Sequence, residues 1–423
     1  MRRLVKWLDN RLHYAWVVLA VTVMVLLAVA GIRAASSVMI IPLEQAFGWS
    51  RDEVSGSLAV GLLLFGLAAP FAASLMQRFG VRIVVSVSLA IVASGAGISL
   101  FMTQPWHLMA TWGAMLGLGG GTIAVVLGAV ITNRWFVSHR GLVNGIFLAS
   151  MAAGQLVFLP AFAWIAQTNG WRPVALLCFI GGFAVIPLVL LLVPEQPGDV
   201  GLRPVGAAKG DTVEKGSTRN PIGAAFETLR TALPTRTFWV LGGSFLICGL
   251  TTAGLVGTHL IPMCFDAGVP QVMGAGLLAM MGIFNMAGTT IAGWASDRWD
   301  NRWLLMGFFA SRGVSLIFLP YSGYTVTSLT VFSVVYGLDW FATAPATIRL
   351  LTDTYGKTAA PILFGWIFVL HQIGSAMAAW GAGVMRGAFG SYLEAFVFAG
   401  VTCFVAAALV LTVRQSGLRA NAA

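Results

Sequence analysis

The sequence predicts an all-α membrane protein of twelve transmembrane helices in two six-helix bundles, and three observations carry that prediction. Of the 423 residues, 58% are hydrophobic and only 9% charged, where an ordinary soluble domain carries about 25% charged residues; this excludes a soluble enzyme. Apolar runs long enough for a bilayer, which takes about 20 residues per helix, recur along the whole chain, and twelve of them with short loops use most of its length. The only long polar stretch falls in the middle, from Pro194 to Arg236, rich in Gly, Pro, Lys and acids, and reads as a linker. The division is therefore 1–193 for the first bundle, 194–236 for the linker and 237–423 for the second bundle.

Taken in order, the apolar runs place the first six helices over 14–43, 54–76, 83–103, 106–132, 142–166 and 173–193. The opening MRRLVKW has the charge of a secretory signal, but the apolar run behind it is about twice an ordinary signal core and continues through Pro42, so it is helix one. Helix four carries Gly117, Gly119, Gly120 and Gly121, which permit close helix approach, and Pro70 and Pro160 bend helices two and five. The second six helices fall over 238–265, 271–296, 303–321, 326–351, 361–385 and 391–413, with Pro262 and Pro345 inside helices seven and ten.

The net charge of +10 would suggest nucleic acid in a soluble protein, but its placement points to the bilayer instead. With the N-terminus in the cytoplasm, 20 of the 25 Lys and Arg lie on the inner side: Arg2, Arg3, Lys6 and Arg11 in the N-tail, six in the linker, eight in the short loops and two in the C-tail. Only Arg51, Arg172 and Arg386 fall outside, and Arg33 and Arg312 lie within spans. This is the positive-inside bias of a multi-pass protein of an inner (plasma) membrane with both termini cytoplasmic, and it calls for no nucleic-acid partner. The four cysteines all fall inside spans without C-x-x-C spacing or a nearby His, so neither disulfide nor metal is expected. A G-x-x-x-x-G-K-[ST] loop is absent, so ATP is not the direct driver and no cofactor is expected.

The two halves echo each other: Gln77-Arg78-Phe79-Gly80-Val81-Arg82 follows helix two, and Asp297-Arg298-Trp299-Asp300-Asn301-Arg302 follows helix eight. The run from Gly293 through Asp297 and Arg298 to Arg302 resembles the G-x-x-x-D-R-x-x-x-R loop signature of the major facilitator superfamily, and the half-chain repeat resembles its twelve-helix plan. Within that superfamily the chain is similar to the monocarboxylate and oxalate/formate branch, whose pattern at the start of helix five matches Trp135-Phe136, His139-Arg140, Leu142, Gly145, Ala149-Ser150 and Gly154; Tyr14-Ala15-Trp16 resembles the branch's start of helix one. Three departures stand beside the likeness. Gln77 replaces the signature Asp, Val272–Trp294 holds no charge where monocarboxylate carriers place an Asp and an Arg in helix eight, and helix five lacks the G-P-x-x-G-G pattern of drug/proton antiporters. The resemblance implies a secondary transporter with its substrate site between the halves, and a gate at the helix two–three and eight–nine loops formed by Arg78, Arg82, Asp297, Arg298 and Arg302.

An ionisable group at membrane depth costs several kcal/mol, roughly 2.5 to 3.5 on insertion scales, so each one asks for a partner or a role. Arg33 lies about 15 Å inside helix one, beyond easy snorkelling, and its forked donors match a carboxylate; it either binds an anionic substrate or rests on backbone carbonyls. Arg312 in helix nine and Asp339 in helix ten sit at similar depth across the turn near Gly323, within about 7 to 8 Å, and are either a structural pair or a proton-exchanging one. Tyr336, Asp339, Thr343 and Thr347 share one face of helix ten. His371 and Gln372 in helix eleven, Gln155 in helix five, and Asn285 and Thr289 in helix eight, with Thr251 and Thr252 in helix seven, complete the midplane polar set, each as either interhelical glue or substrate contact. Arg349 with Asp353 reads as a surface pair, His259 as a packed core residue, and Trp135, Trp303 and Trp380 as interface or packing groups.

These residues point to a proton-coupled symporter for a small organic anion, resembling a monocarboxylate carrier, with the lipid bilayer, protons and the solute as its partners. The alternatives are a carrier or exporter of a larger weakly polar metabolite, vitamin or drug, and a non-transporting sensor. The linker of about 40 residues is too small and polar for a signalling domain, and two bundles make a gated cleft more naturally than a channel's ring of selectivity oxygens.

Overall fold

The computed structural model describes residues 13–124, 126–207 and 221–413. The N-tail cations, part of the linker charge and the C-tail cations Arg414 and Arg419 lie outside the described residues. Six helices form the first half: α1 (Ala15–Val38, continued as Ile40–Phe47), α2 (Arg51–Phe79), α3 (Val81–Ser99), α4 (Pro105–Trp135), α5 (Arg140–Asn169) and α6 (Trp171–Leu192). After a linker helix over Pro221–Ala232 come α7 (Arg236–Asp266), α8 (Gln271–Ser296), α9 (Asn301–Tyr321), α10 (326–355), α11 (357–389) and α12 (Leu393–Val410). Among the described residues, eleven continuous helical stretches are long and apolar enough to cross a membrane, and one of them, Val326–Phe389, runs for 64 residues. At helical rise that is about three bilayer thicknesses, and it divides at Gly356, whose φ of 83° and ψ of 166° are non-helical. Eleven stretches thus supply twelve spans. Among the described residues the β structure is a lone bridge between Phe136 and Val205.

Prolines decide where the helices bend. Pro42 cannot share a turn with the Val38 carbonyl four residues earlier; the chain bends at Met39, and Gln271 of α8 donates its side-chain N–H to the freed Val38 oxygen at 3.2 Å. Pro345 does the same to Phe341, and α10, expected as one continuous helix, breaks over 340–342. The Phe341 N–H released there is taken by Asn285 Oδ1 at 3.1 Å. The glycines of α4 work as expected: a Cβ at Gly117 or Gly121 would run into the carbonyls of Gly61 or Phe65, so α4 can lie backbone to backbone on α2.

The two bundles touch chiefly along α2 with α11 and α5 with α8. Their apolar cores are joined at one end only. At the far end, opposite the linker, one continuous buried cluster runs from Ile32, Leu58 and Trp112 of the first half to Leu260, Met281 and Phe396 of the second. At the linker end the cores are separate, one around Tyr14, Leu89 and Trp135, the other around Phe238, Phe309 and Leu363. The bundles are therefore fused by buried apolar surface at the far end and not at the linker end.

Candidate transport pathway

Arg33 projects from α1 at the inter-helix seam with α2, half-buried, its guanidinium carbon 4.9 Å from the centre of the Phe65 ring. Among the described residues no carboxylate pairs with it and no carbonyl accepts from it. A guanidinium over an aromatic face gains about 0.5 to 2 kcal/mol, which leaves its five N–H donors available.

Arg312 stands in the opposite condition. It is fully buried, and every donor has an acceptor: Nε on Asp339 Oδ2 at 2.7 Å, Nη2 on the Asp339 carbonyl at 2.6 Å and the Trp340 carbonyl at 3.3 Å, Nη1 on Cys248 Sγ at 2.9 Å and Thr251 Oγ1 at 3.5 Å. The carbonyls it takes lie at the α10 break, where that of Asp339 otherwise accepts only from Ala342 N at 3.3 Å, so one side chain both neutralises Asp339 and completes the end of a helix. Asp339 keeps one oxygen, Oδ1, buried without a partner. The polar stripe of α10 turns inward to α7 and not to open space: Tyr336 donates to the Thr251 carbonyl at 2.8 Å, Thr343 lies 3.5 Å from Cys248, and Thr347 is buried on its own helix.

His371 is buried on α11, stacked on Phe368 and flanked by Phe245 and Phe341, with Nε2 3.4 Å from Thr252 Oγ1 and Nδ1 without a partner. Gln372 turns to α2, pressed against Gly66, and its Oε1 is unsatisfied. Gln155 is half-buried opposite Gly282 on the α5–α8 seam. Asn285 is spent on backbone and side-chain neighbours, accepting from Phe341 N and from Thr289 Oγ1 at 3.0 Å. The midplane set therefore separates into Gln155 and Gln372 at contacts between the bundles, Arg33 beside Phe65 within the first bundle, and groups inside the second bundle (Arg312, Asp339, His371).

The loop residues find partners within their own halves. Asp297 lies 3.6 Å from Arg349, Arg298 sits over Trp294, and Arg302 is held by Asp300 at 2.7 Å and reaches the Val413 carbonyl. In the first half Arg78 lies over Phe79, and the carboxylate missing at Gln77 is replaced from elsewhere. Glu195 accepts from the backbone N–H groups of Val81 and Arg82 at 2.6 and 3.0 Å, capping α3, and pairs with Arg134 at 3.4 Å. Sequence reading absorbed Glu195 into the linker.

It also missed the far-end cluster. There Arg51 of the first half is held by Glu44 of α1, donates to the Tyr392 hydroxyl at 2.7 Å and lies 3.5 Å from Asp266, while Asp266 is bound at 2.9 Å by Arg386. Two of its members, Arg51 and Arg386, are among the three cations that break the inner-side charge bias, which was the available signal.

Two bundles of six spans, in contact along α2–α11 and α5–α8, define a polytopic membrane protein. A model of the Major Facilitator Superfamily matches residues 21–379, and the chain belongs to that family of transporters. It is 24% identical to the uncharacterized MFS-type transporter YcxA of Bacillus subtilis, covering 92% of this chain and 94% of that protein. Monocarboxylate transporter 13 of Rattus norvegicus is 24% identical over 91% of this chain and 85% of its own, and human monocarboxylate transporter 11 is 26% identical over 85% and 74%. Among solved structures, a bacterial homolog of the human lysosomal transporter Spinster superposes with a TM-score of 0.72 at 16% identity, covering 95% of this chain and 99% of that one. A D-xylose-proton symporter does so at 0.70 and 15%, covering 95% and 98%; at such identities the likeness is one of fold.

Proposed function

We propose that this chain is an alternating-access symporter that carries a small organic anion of monocarboxylate type together with a proton across an inner membrane, with its linker end and both termini in the cytoplasm. The observation that carries the reading is Arg33, a half-buried guanidinium at membrane depth with five free donors among the described residues. An uncompensated charge there is tolerated where water or a counter-anion reaches it, and a carboxylate fits its fork. The relatives named as monocarboxylate transporters support the same solute class.

Asp339, with its bare Oδ1, is the candidate proton carrier, and His371 is the next. The fused far-end core and separate linker-end cores fit a carrier closed to the outside and open to the cytoplasm. Gln155 at the α5–α8 contact and Gln372 at the α2–α11 contact would supply further polar contacts to the solute. The test is a thermal-shift screen of the purified protein against short monocarboxylates, dicarboxylates, vitamins and apolar drugs, since a ligand of the folded state raises its apparent stability. Stabilisation by monocarboxylates that vanishes in Arg33→Ala supports the reading; stabilisation by neutral or apolar compounds alone overturns it.

A further inference from the structure

At the far end, four charged side chains and two neutral ones meet across the two halves, and their bonding separates them into two kinds. Arg51 and its carboxylate Glu44 both belong to the first half; Arg386 and its carboxylate Asp266 both belong to the second. If the halves part at this end, each arginine keeps its own carboxylate, and no charge is stranded. The ion pair that does cross, Arg51 to Asp266, is the longest of the set at 3.5 Å. The short contact that crosses is Arg51 Nη1 to the Tyr392 hydroxyl at 2.7 Å.

Tyr392 is itself held in place. His259 is fully buried, with Nε2 2.7 Å from the Ala379 carbonyl and Nδ1 3.0 Å from the Tyr392 hydroxyl. A carbonyl accepts only, so Nε2 carries the proton and Nδ1 is left as the acceptor of the Tyr392 O–H. The tyrosine oxygen then presents its lone pairs to Arg51. The bonds run in one direction, from Arg51 to Tyr392 to His259 to Ala379, and link the first half to the α11 backbone of the second. Nearby, Gly383 of α11 lies against Arg51, Asp52 and Ser55, where a Cβ would not fit, so α11 and the start of α2 are in direct contact where the relay joins them.

We propose that this hydrogen-bond relay, Arg51–Tyr392–His259–Ala379 carbonyl, is the far-end latch, and that the surrounding ion pairs hold each half's own charges without locking the halves together. The inference rests on the alternating-access reading and names the residues that set its closed state. A hydrogen bond to a charged donor is worth enough to change an open-to-closed ratio roughly tenfold, whereas the ion pair at 3.5 Å is long and shares an Asp266 that Arg386 already holds at 2.9 Å.

The experiment is a distance measurement between spin labels on Phe101→Cys and Tyr321→Cys, both exposed at the far end, one in each half, in nanodiscs and without substrate. The native cysteines are all buried and so are poor label sites. Tyr392→Phe, which removes one oxygen, and His259→Gln, which removes the anchoring imidazole, are expected to raise the open fraction about tenfold; Asp266→Asn is expected to leave it within about twofold. Arg51→Lys keeps the charge beside Glu44 and serves as the second variant should Tyr392→Phe fold poorly; it too is expected to open the far end. The proposal is overturned if Asp266→Asn opens the far end more than Tyr392→Phe, or if both Tyr392→Phe and Arg51→Lys keep the wild-type distance. Because the readout needs no solute, a far end that opens on cue while no carboxylate binds would sink the anion reading and leave the latch standing.

Discussion

Arg312 and Arg33 carry the same group into the apolar middle of the same bilayer and end in opposite conditions. Arg312 has an acceptor on each of its five donors and no exposed surface; Arg33 has an aromatic ring and no acceptor among the described residues. The difference lies in the backbone around them. Beside Arg312 the α10 break loosens the backbone bonding, with only a 3.3 Å bond from Ala342 N on the Asp339 carbonyl, and an arginine can both bind those carbonyls and neutralise Asp339. Arg33 lies within the regular helix Ala15–Val38, whose carbonyls are used by its own helix, and its guanidinium meets only the Phe65 ring among the described residues. On the proposed reading, the saturated charge serves the architecture and the unsaturated one the solute.

The largest test of the contrast is to remove Arg312. Arg312→Leu leaves Asp339 buried without a counter-charge and is expected to cost about 3 to 5 kcal/mol, read as a fall in the thermal midpoint in detergent. The double replacement Arg312→Leu with Asp339→Leu should recover most of that loss. It also divides the two roles of Asp339. In proteoliposomes the double variant is expected to exchange labelled for unlabelled solute but not to accumulate it on a proton gradient. Full accumulation would make the pair purely structural and move the proton to His371.

Arg33 should behave in the reverse way. Arg33→Ala loses at most the cation–π contact, about 1 kcal/mol of stability, yet should weaken carboxylate binding by roughly 10- to 100-fold, the worth of charged hydrogen bonds. Arg33→Lys keeps the charge without the fork and should fall between the two. Titration calorimetry on the three proteins checks the order; a normal affinity in well-folded Arg33→Ala would remove the residue from the site.

Much of the fold was legible because a span announces itself locally: each apolar run is longer than any soluble helix core needs, and Gly356 aside, each ends in polar residues. The α10 break was harder to see. Pro345 marked a bend, but that the turn would open at 340–342 depends on Asn285 and Arg312 being present in space to take up the freed groups. The site was legible only as a set of suspects. Depth along helices brought Arg312 to Asp339, since both count from one turn. Nothing local relates Arg51 to Tyr392, 341 positions away, or Glu195 to Val81, 114 away, and so the Arg51–Tyr392 contact and the α3 cap exist only in the folded chain.

The α3 cap offers a smaller effect. Glu195→Ala strips two backbone N–H groups of their acceptor and Arg134 of its partner; a helix cap is worth about 1 kcal/mol, and the half-exposed pair adds little. A drop of that order in thermal stability, with carboxylate affinity unchanged, is the expected result. Loss of affinity instead would tie the linker end of the first half to the solute.

The smallest effect concerns the linker-end loops, where the two halves differ by one carboxylate. The loop signature implies a gate at that end, expected to close when the far end opens, with Asp297 as its acidic member in the second half, whereas Gln77 has no charge to offer in the first. In the structure described here Asp297 is 66% exposed and 3.6 Å from Arg349 of its own half, an arrangement worth a few tenths of a kcal/mol. Asp297→Ala should therefore hardly change the state with the linker end open, and should weaken the state with it closed. The population shifts toward the open one, and a cysteine placed near the mouth, at Arg78 or Trp299, should be alkylated up to a few times faster. Gln77→Ala, exposed and uncharged, should leave that rate unchanged. Equal acceleration by both replacements, or none by either, would count against a charged latch in the second half and leave the far-end relay as the sole element controlling which side is open.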